Sequence, residues 1–290
     1  MKVALCSIAF RERLLEYTLD VACEAKLDGV EIWGREPHIS EEYDANRVAA
    51  VRKMVTGRGL EVAAFGSYLR LGATSSDTMG VRDVLQIAAG LEVPTVRVWA
   101  SEVGSEEAKG DLWQRTVNEC RDCAMSAEKM GLRLAVEMHT KTLADTAESA
   151  LRLIEEVGRG NFGLNYQPLP SLNDDAMRRL QMVLPHVFHL HAQNYAPLNG
   201  DGKIERAGLA DGIIDFEPLV ETLTGVQTCA LPISTRAGLA DGIIDFEPLV
   251  ETLRESGYDG YLAVEFSPSN VSNKREAVLR DCGYLQRIRG

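Results

Sequence analysis

The chain has no apolar run long enough to cross a membrane, because no stretch approaches the roughly 20 apolar residues that a spanning helix needs. The short apolar run after Lys2 also lacks the length and the cleavage site of a signal peptide. Lys and Arg are scattered without a basic stripe, and the formal net charge is -12 at pH 7. These absences predict a cytoplasmic protein whose partner is neither a membrane nor a nucleic acid, since a phosphate backbone is bound by a basic face.

Paired cysteines are also scarce. Of the six cysteines, only Cys120 and Cys123 form a CxxC pair. The pair lies inside a helical pattern, with no second CxxC and no redox loop after it. We interpret the two residues as ordinary reduced cysteines on adjacent helical turns.

An exact internal repeat interrupts the C-terminal half. Residues 206–223 and 236–253 both read RAGLADGIIDFEPLVETL, and natural repeats diverge, so identical copies indicate a recent duplication or an assembly error. The peptide TGVQTCALPI (224–233) between them resembles the translation of a common sequencing-library adapter. The hypothesis is an artefactual insertion of 30 residues into a parent of 260, and a true tandem duplication is the alternative. We expect the second copy's helix to pack against the domain while the first copy and the adapter-like peptide bulge from a loop.

Short apolar or β-branched runs alternate with amphipathic segments along the whole chain, which is typical of repeated βα units. Segments such as RLLEYTLDVACEAK and TAESALRLIEEVG have apolar residues at helical spacing. The first strand is followed by AFRERLLE, without the glycine-rich phosphate turn of a doubly wound sheet. We therefore predict a single α/β domain over 1–290, a (β/α)8 TIM barrel. The eight predicted strands are 3–10, 29–34, 60–66, 95–101, 132–139, 161–166, 186–193 and 260–267.

Polar residues end four of these strands, in pairs two residues apart that share one face of the strand. The pairs are Glu137 and His139, Asn165 and Gln167, His189 and His191, and Glu265 and Ser267. Function in such a barrel lies where the strands end, and unpaired buried charge is costly, so this convergence is hard to explain by packing. A divalent cation would neutralise Glu137 and Glu265 and use a nitrogen of His191, and such mixed ligands suit Mn²⁺, Mg²⁺, Co²⁺ or Zn²⁺. His189 lies one layer deeper and is expected to be a core histidine with interior partners.

The strand endings AVEMH, HLHAQN and YLAVEFS, with GVEIWG near the N-terminus, resemble the xylose-isomerase-like TIM-barrel superfamily of sugar phosphate isomerases and epimerases. The resemblance covers essentially the whole chain once the insertion is set aside. The divalent-metal ligands that it implies are Glu137, Gln167, His191 and Glu265. It also implies proton transfer beside a carbonyl through an enediolate, with Glu137 and Glu265 as the catalytic acid and base.

The chain departs from the family pattern after the sixth strand. Where the family has Asp-Pro-x-His, this chain reads Gln167-Pro168-Leu169-Pro170. A neutral carbonyl thus replaces a carboxylate, and a histidine on the substrate side is missing. We expect Gln167 to ligate through its oxygen, with weaker metal binding as the result.

The resemblance also implies a small-molecule sugar as partner and three substrate-binding residues. His139 would hydrogen-bond a sugar hydroxyl, Trp33 would form an apolar wall, and Arg206 would reach a hydroxyl or an anionic group. Arg236 occupies the same place in the second repeat copy and is an equal claimant. Barrels of this group often pair, so a homodimer is left open.

The leading hypothesis is a sugar or keto-sugar isomerase or epimerase. A keto-polyol dehydratase or lyase would form the same enolate and lose hydroxide instead of regaining a proton. A non-catalytic carbohydrate-binding barrel is a third hypothesis, which Gln167 and Pro170 favour. The superfamily's DNA-repair endonuclease branch would need more metal ligands and a basic surface, which this acidic chain with its five histidines does not offer.

Overall fold

The computed structural model describes residues 1–74, 79–169, 173–195, 206–209, 211–213, 258–265 and 271–289. Its strands, in chain order, are β1 (Lys2–Cys6), β2 (Gly29–Trp33), β3 (Glu61–Leu71), β4 (Thr95–Ala100), β5 (Arg133–Glu137), β6 (Phe162–Tyr166), β7 (Val187–Ala192), β8 (Asn194–Tyr195), β9 (Arg206–Ala207) and β10 (Tyr261–Val264). Strands β8 and β9 form a small antiparallel pair. The other eight close into a barrel in the order β1-β10-β7-β6-β5-β4-β3-β2, and every neighbouring pair is parallel.

Helices cover the outside of this barrel, so its strands carry apolar residues on both faces. On β5, for example, the consecutive residues Leu134, Ala135 and Val136 are all completely buried. The described helices are α1 (Leu15–Glu24), α2 (Ala45–Thr56), α3 (Val81–Leu91), α4 (Leu112–Glu128), α5 (Ala147–Val157), α6 (Asn173–Val183) and α7 (Lys274–Arg289). None of them is long and apolar enough to cross a membrane. The predicted (β/α)8 TIM barrel is confirmed.

Local sequence explains where the helices begin and end, and α5 is the clearest case. The hydroxyl of Thr146 accepts a hydrogen bond from the backbone N–H of Ser149 at 3.0 Å, and the Ser149 hydroxyl accepts one from the backbone N–H of Thr146 at 3.2 Å. This reciprocal cap satisfies donors that the first helical turn leaves without partners. Gly158 ends the helix with a φ of 64°, a conformation that glycine adopts without strain.

Strand β3 is longer than the segment 60–66 that the sequence predicted, because it continues past an irregularity. Its register with β4 shifts between Gly66 and Arg70. Beyond the shift, Arg70 pairs with Trp99, so the strand carries further side chains toward its carboxyl end. In parallel barrels, the carboxyl ends of all strands meet at one mouth, where βα loops build the site.

Most of the repeat and the whole adapter-like peptide lie outside the described residues, so the proposed 30-residue insertion stays a prediction. From the first copy, the described part includes Arg206 and Leu209. Arg206 pairs with Tyr195 in the β8–β9 hairpin, and the backbone N–H of Leu209 donates to Asp281 of α7 at 2.9 Å. This small structure follows β7 directly and therefore lies beside the barrel mouth.

Candidate active site

Three of the predicted residues converge at the mouth of the barrel. Glu137 ends β5, His191 lies on β7 and Glu265 follows β10. Their ligand atoms all lie within 4.8 Å of one another, and each residue is at most 4% exposed. Nδ1 of His191 lies 3.5 Å from Oε1 of Glu265. Burying two carboxylates this close together requires a compensating positive charge.

Glu31 on β2 orients the histidine and was not among the predicted site residues. One of its oxygens lies 2.7 Å from Nε2 of His191 and 2.9 Å from Nε2 of His189. A carboxylate on the far nitrogen of a histidine fixes the ring, so that Nδ1 of His191 is the nitrogen facing Glu265. His189 is satisfied in the interior by this contact, as its deeper position predicted. A charged residue in the otherwise apolar strand GVEIW was the sequence signal for Glu31.

Burial and close neighbours shift the pKa values of this cluster in opposite directions. Although burial opposes it, the negative charges of Glu31 and Glu265 raise the pKa of His191 to about 9. Burial would raise the pKa of Glu31, but His191 and His189 hold it well below its usual range. Burial also raises the pKa of Glu265 to about 7, with His191 opposing and the charge of Glu137 reinforcing the shift. A proton on His191, the buried guanidinium of Arg97 or a metal ion can supply the positive charge that this geometry favours.

Arg97 on β4 is a second partner that the sequence analysis missed. Its guanidinium forms an ion pair with Oε2 of Glu137, and both side chains are buried. Nη2 also donates to the backbone carbonyl of Ser67 at 3.2 Å. Burial opposes the charge of Arg97, yet the carboxylates of Glu137 and Glu31 raise its pKa above the usual value. An arginine inside the apolar run TVRVWA was its sequence signal.

The donor set fits a divalent cation. Besides the three converging residues, Gln167 is buried at the end of β6, and its Oε1 has no hydrogen-bond partner in the described part of the chain. Oε2 of Glu265 is likewise buried without a hydrogen bond. Buried oxygens without partners are uncommon in folded proteins, and oxygen-rich sets with one imidazole suit Mn²⁺, Mg²⁺, Co²⁺ or Zn²⁺. Glu137, His191 and Glu265 are therefore residues that could hold such an ion, and ligation by Gln167 stays a prediction.

Arg206, one of the three predicted substrate contacts, lies beside the cluster. Its Nη1 is 4.0 Å from Oε2 of Glu265 and also donates to Oε1 of Gln193. Arg206 reaches the cluster because it lies in the β8–β9 pair of strands, which no periodicity in the sequence had indicated. Arg236, the alternative candidate for this substrate contact, lies outside the described residues.

His139 and Trp33 line the walls around the cluster. The ring of His139 lies 4.7 Å from the ring of Trp99, and its Nδ1 lies 2.8 Å from the carbonyl oxygen of Thr140. Trp33 donates from Nε1 to the hydroxyl of Tyr68 at 2.9 Å. The ring of Tyr68 lies 5.3 Å from the Arg97 guanidinium, so one aromatic ring separates Trp33 from the buried ion pair. Contact of either residue with a substrate stays a prediction.

Comparisons with known proteins agree with this fold. The family profile described as xylose isomerase-like TIM barrel matches residues 19–288. A 3-dehydroshikimate dehydratase from Bacillus anthracis is 25% identical over 243 residues, which span 76% of this chain and 86% of the relative.

Two solved structures share the barrel. A D-psicose 3-epimerase from Clostridium cellulolyticum H10, determined with D-tagatose, matches with a TM-score of 0.63 and 16% identity over 100% of this chain and 98% of the other. The IolI protein with a bound zinc atom matches with a TM-score of 0.68 and 15% identity over 99% and 98%. At these identities, the two superpositions show the shared fold.

Proposed function

The chain belongs to the xylose isomerase-like TIM-barrel family, and from this premise we propose that its barrel mouth removes a proton from the carbon beside a ketone of a small polyhydroxylated substrate. Return of the proton to a neighbouring carbon or to the opposite face would make the protein an isomerase or an epimerase. The observation that carries the proposal is the buried cluster of Glu137, His191 and Glu265, whose ligand atoms lie within 4.8 Å of one another. Buried charge is costly, and the mouth of such a barrel is where catalytic groups lie.

We assign the metal ligands to Glu137, Gln167, His191 and Glu265. When bound, a divalent cation supplies Lewis-acid stabilisation of the negative charge that develops on the substrate oxygen. Glu31 holds the ring of His191 through its 2.7 Å contact, which keeps Nδ1 directed at the carboxylates. Arg97 holds Oε2 of Glu137, which leaves the other oxygen of that carboxylate unengaged by this ion pair.

We assign the proton transfer to Glu265, with Glu137 as the second carboxylate. Oε2 of Glu265 is buried and has no hydrogen bond in the described residues, so it is the oxygen that can take the proton. The electron pair of the broken C–H bond moves toward the carbonyl and forms an enediolate. A guanidinium 4.0 Å from the same oxygen, that of Arg206, would hold a substrate hydroxyl or anionic group beside it.

Dehydration of a keto-polyol is the second candidate, and two observations favour it. One is the 25% identity to a relative named 3-dehydroshikimate dehydratase. The other is the Arg97–Glu137 ion pair, which occupies one oxygen of a carboxylate that two-base epimerisation would need. In a dehydration, the same enolate expels hydroxide from the next carbon, and His139 at the rim would hold that departing hydroxyl.

Deuterium exchange tests the shared first step. The Mn²⁺-loaded full chain is incubated in D₂O with a panel of ketoses and keto acids, and loss of the C–H signal beside the ketone is followed by proton NMR. We expect exchange that is abolished in Glu265→Gln and retained in Glu128→Gln, which alters a surface carboxylate of α4 paired with Arg159.

Products separate the two candidates. An aldose or an epimer supports the isomerase, whereas an unsaturated or deoxy ketone supports the dehydratase. Metal-loaded protein that exchanges no keto-polyol in the panel would refute both.

A further inference from the structure

A cysteine thiol lies beside the carboxylate that orients His191. Cys6 is the last residue of β1, and its neighbour in the parallel pairing with β2 is Glu31. Sγ of Cys6, a carboxylate oxygen of Glu31 and a ring nitrogen of His191 all lie within 4.8 Å of one another. Three strands thus bring a thiol, a carboxylate and an imidazole together inside the barrel, and Cys6 has no part in the function proposed above.

This group is closed off from solvent. Glu31 and His191 are completely buried, and Cys6 is 3% exposed. Burial raises the pKa of the Cys6 thiol, and the negative charges of Glu31 and Glu265 raise it further, although the backbone N–H of Ile8 and the charge of Arg97 oppose the shift. Uncompensated charge in such a place is costly, whereas a divalent cation would neutralise a thiolate and a carboxylate together.

The carboxylate of Glu31 keeps one oxygen without a hydrogen bond. Its Oε2 contacts Nε2 of both His189 and His191, at 2.9 and 2.7 Å. Its Oε1 is buried and has no hydrogen-bond partner in the part of the chain that the structure describes. Buried oxygens without partners are uncommon, so this carboxylate has an unused capacity to bind a ligand.

The Cys6 group differs from the mouth cluster in the nitrogen that it uses and in the chemistry of its donors. Nε2 of His191 faces Glu31, whereas Nδ1 lies 3.5 Å from Oε1 of Glu265. Carboxylate oxygens, which dominate the mouth cluster, suit Mn²⁺ and Mg²⁺, but a thiolate is a soft ligand that selects thiophilic ions such as Zn²⁺. The two sides of one imidazole therefore face two sets of donors with different metal preferences.

We propose that Cys6, Glu31 and Nε2 of His191 form a second metal site, which takes a thiophilic divalent cation of the class of Zn²⁺ and Cd²⁺. The ion would replace the thiol proton of Cys6 and the proton between Nε2 of His191 and Glu31, and both protons pass to solvent. Bonds of about 2.0–2.3 Å from zinc to oxygen, nitrogen and sulfur place its ligand atoms roughly 3–4.5 Å apart, so this group needs only small side-chain movements to close on an ion. The site is additional to the proposed function, because proton transfer at the mouth does not require it.

Thiolate ligation has an optical signature that tests the proposal on the metal-free full chain. Cd²⁺ is titrated into a Cys23→Ser/Cys229→Ser background, because Cys23 is exposed and Cys229 belongs to the adapter-like peptide. We expect the ultraviolet charge-transfer band of a cadmium–thiolate bond, which saturates when protein and Cd²⁺ are equimolar. Adding Cys6→Ser should abolish the band and weaken Cd²⁺ binding at least about tenfold, since even the outer partners of metal ligands contribute that much. Mn²⁺ affinity in calorimetry should not change, because the mouth cluster does not include Cys6.

A matched control and a second measurement locate the thiol. Cys120→Ser removes a buried thiol of the CxxC pair on α4 and should keep the band. Cys6→Ala tests the same ligand if the serine variant does not fold. Cadmium NMR of the background chain needs no substitution at the site, and it should show scalar couplings from the bound nucleus to the β-protons of Cys6 and to a ring proton of His191.

Four results would overturn the proposal. The first is the absence of a thiolate band, and the second is a band that Cys6→Ser retains. The third is a band that Cys120→Ser abolishes, which would place the ion on α4. The fourth is cadmium coupling to His191 without Cys6, or an equal loss of Cd²⁺ and Mn²⁺ affinity in Cys6→Ser, which would mean that Cys6 only supports the mouth cluster. None of these measurements needs a substrate, so they are separate from deuterium exchange and from the proposed function.

Discussion

The buried carboxylate of Asp281 on α7 should make the stability of the barrel depend on pH. Asp281 is 2% exposed and accepts a hydrogen bond from the backbone N–H of Leu209 at 2.9 Å. Burial raises its pKa from 3.8 to about 7, although the Leu209 N–H and Arg280 oppose the shift and Asp211 adds to it. Arg280 itself pairs with Asp211 at 2.7 Å at the exposed edge of this contact.

The sign and the size of the effect follow from proton linkage. Between pH 3.8 and about 7, the folded chain keeps a proton on Asp281 that the unfolded chain has lost, so stability falls as pH rises. The contribution is fully present below the unfolded pKa and is gone once pH exceeds the folded pKa of about 7. At about 1.4 kcal/mol for each pH unit in that interval, the loss is on the order of 4 kcal/mol in the free energy of unfolding.

Asp281→Asn keeps an acceptor for Leu209 and removes the titration. Urea denaturation followed by circular dichroism, at half-unit steps from pH 4.5 to 8.5, should show the variant gaining stability over the parent as pH rises, with a plateau above about pH 7. Asp122→Asn on the exposed side of α4 is the control and should shift the midpoint equally at every pH. An Asp281→Asn variant that is less stable than the parent at pH 8 would refute the reasoning, since the charged carboxylate would then be the stabilising form.

Three other perturbations test the cluster and the repeat. Glu31→Gln weakens the orientation of His191 and should lower Mn²⁺ affinity by about ten- to hundredfold in calorimetry, and unchanged affinity would contradict the role given to Glu31. Arg97→Met leaves the buried Glu137 without its partner and should lower the free energy of unfolding by about 3–5 kcal/mol in urea, with much of the loss restored by adding Glu137→Gln. Deleting residues 224–253 joins one intact repeat copy to RESG and should preserve Mn²⁺ binding and deuterium exchange; loss of Mn²⁺ binding would count against an artefactual insertion.

The fold and the centre of the site could be predicted because both depend on short-range periodicity. Each barrel strand is a compact apolar run between amphipathic helices, and the alternation of side chains puts Glu137, His191 and Glu265 in phase at the strand ends. Parallel strands in a closed barrel bring their carboxyl ends together without further information. Convergence of those three residues therefore follows from the strand assignment alone.

The missed residues depend on contacts across the barrel that no local pattern encodes. Glu31 meets His191 although 160 positions separate them, and Arg97 meets Glu137 across 40 positions. Glu31 and Arg97 are each an isolated charge among apolar residues in their own strands. Such a charge indicates a buried partner without identifying it. The position of Arg206 depends on the pairing of β8 with β9, two strands of two residues each, which are too short to leave a periodic signal.

Charge balance links the departure at Gln167 to the arginines of the mouth. The family resemblance implies a carboxylate at position 167, so the amide of Gln167 removes one negative charge from the metal site. The ion pair with Arg97 offsets a second negative charge, that of Glu137. Both features weaken the attraction of the site for a cation, and weaker metal binding stays a prediction. Restoring the negative charge with Gln167→Asp should therefore tighten Mn²⁺ binding, as measured by calorimetry on the full chain. An affinity that stays unchanged or falls would contradict the role given to Gln167, because an added carboxylate beside a bound cation must strengthen the attraction.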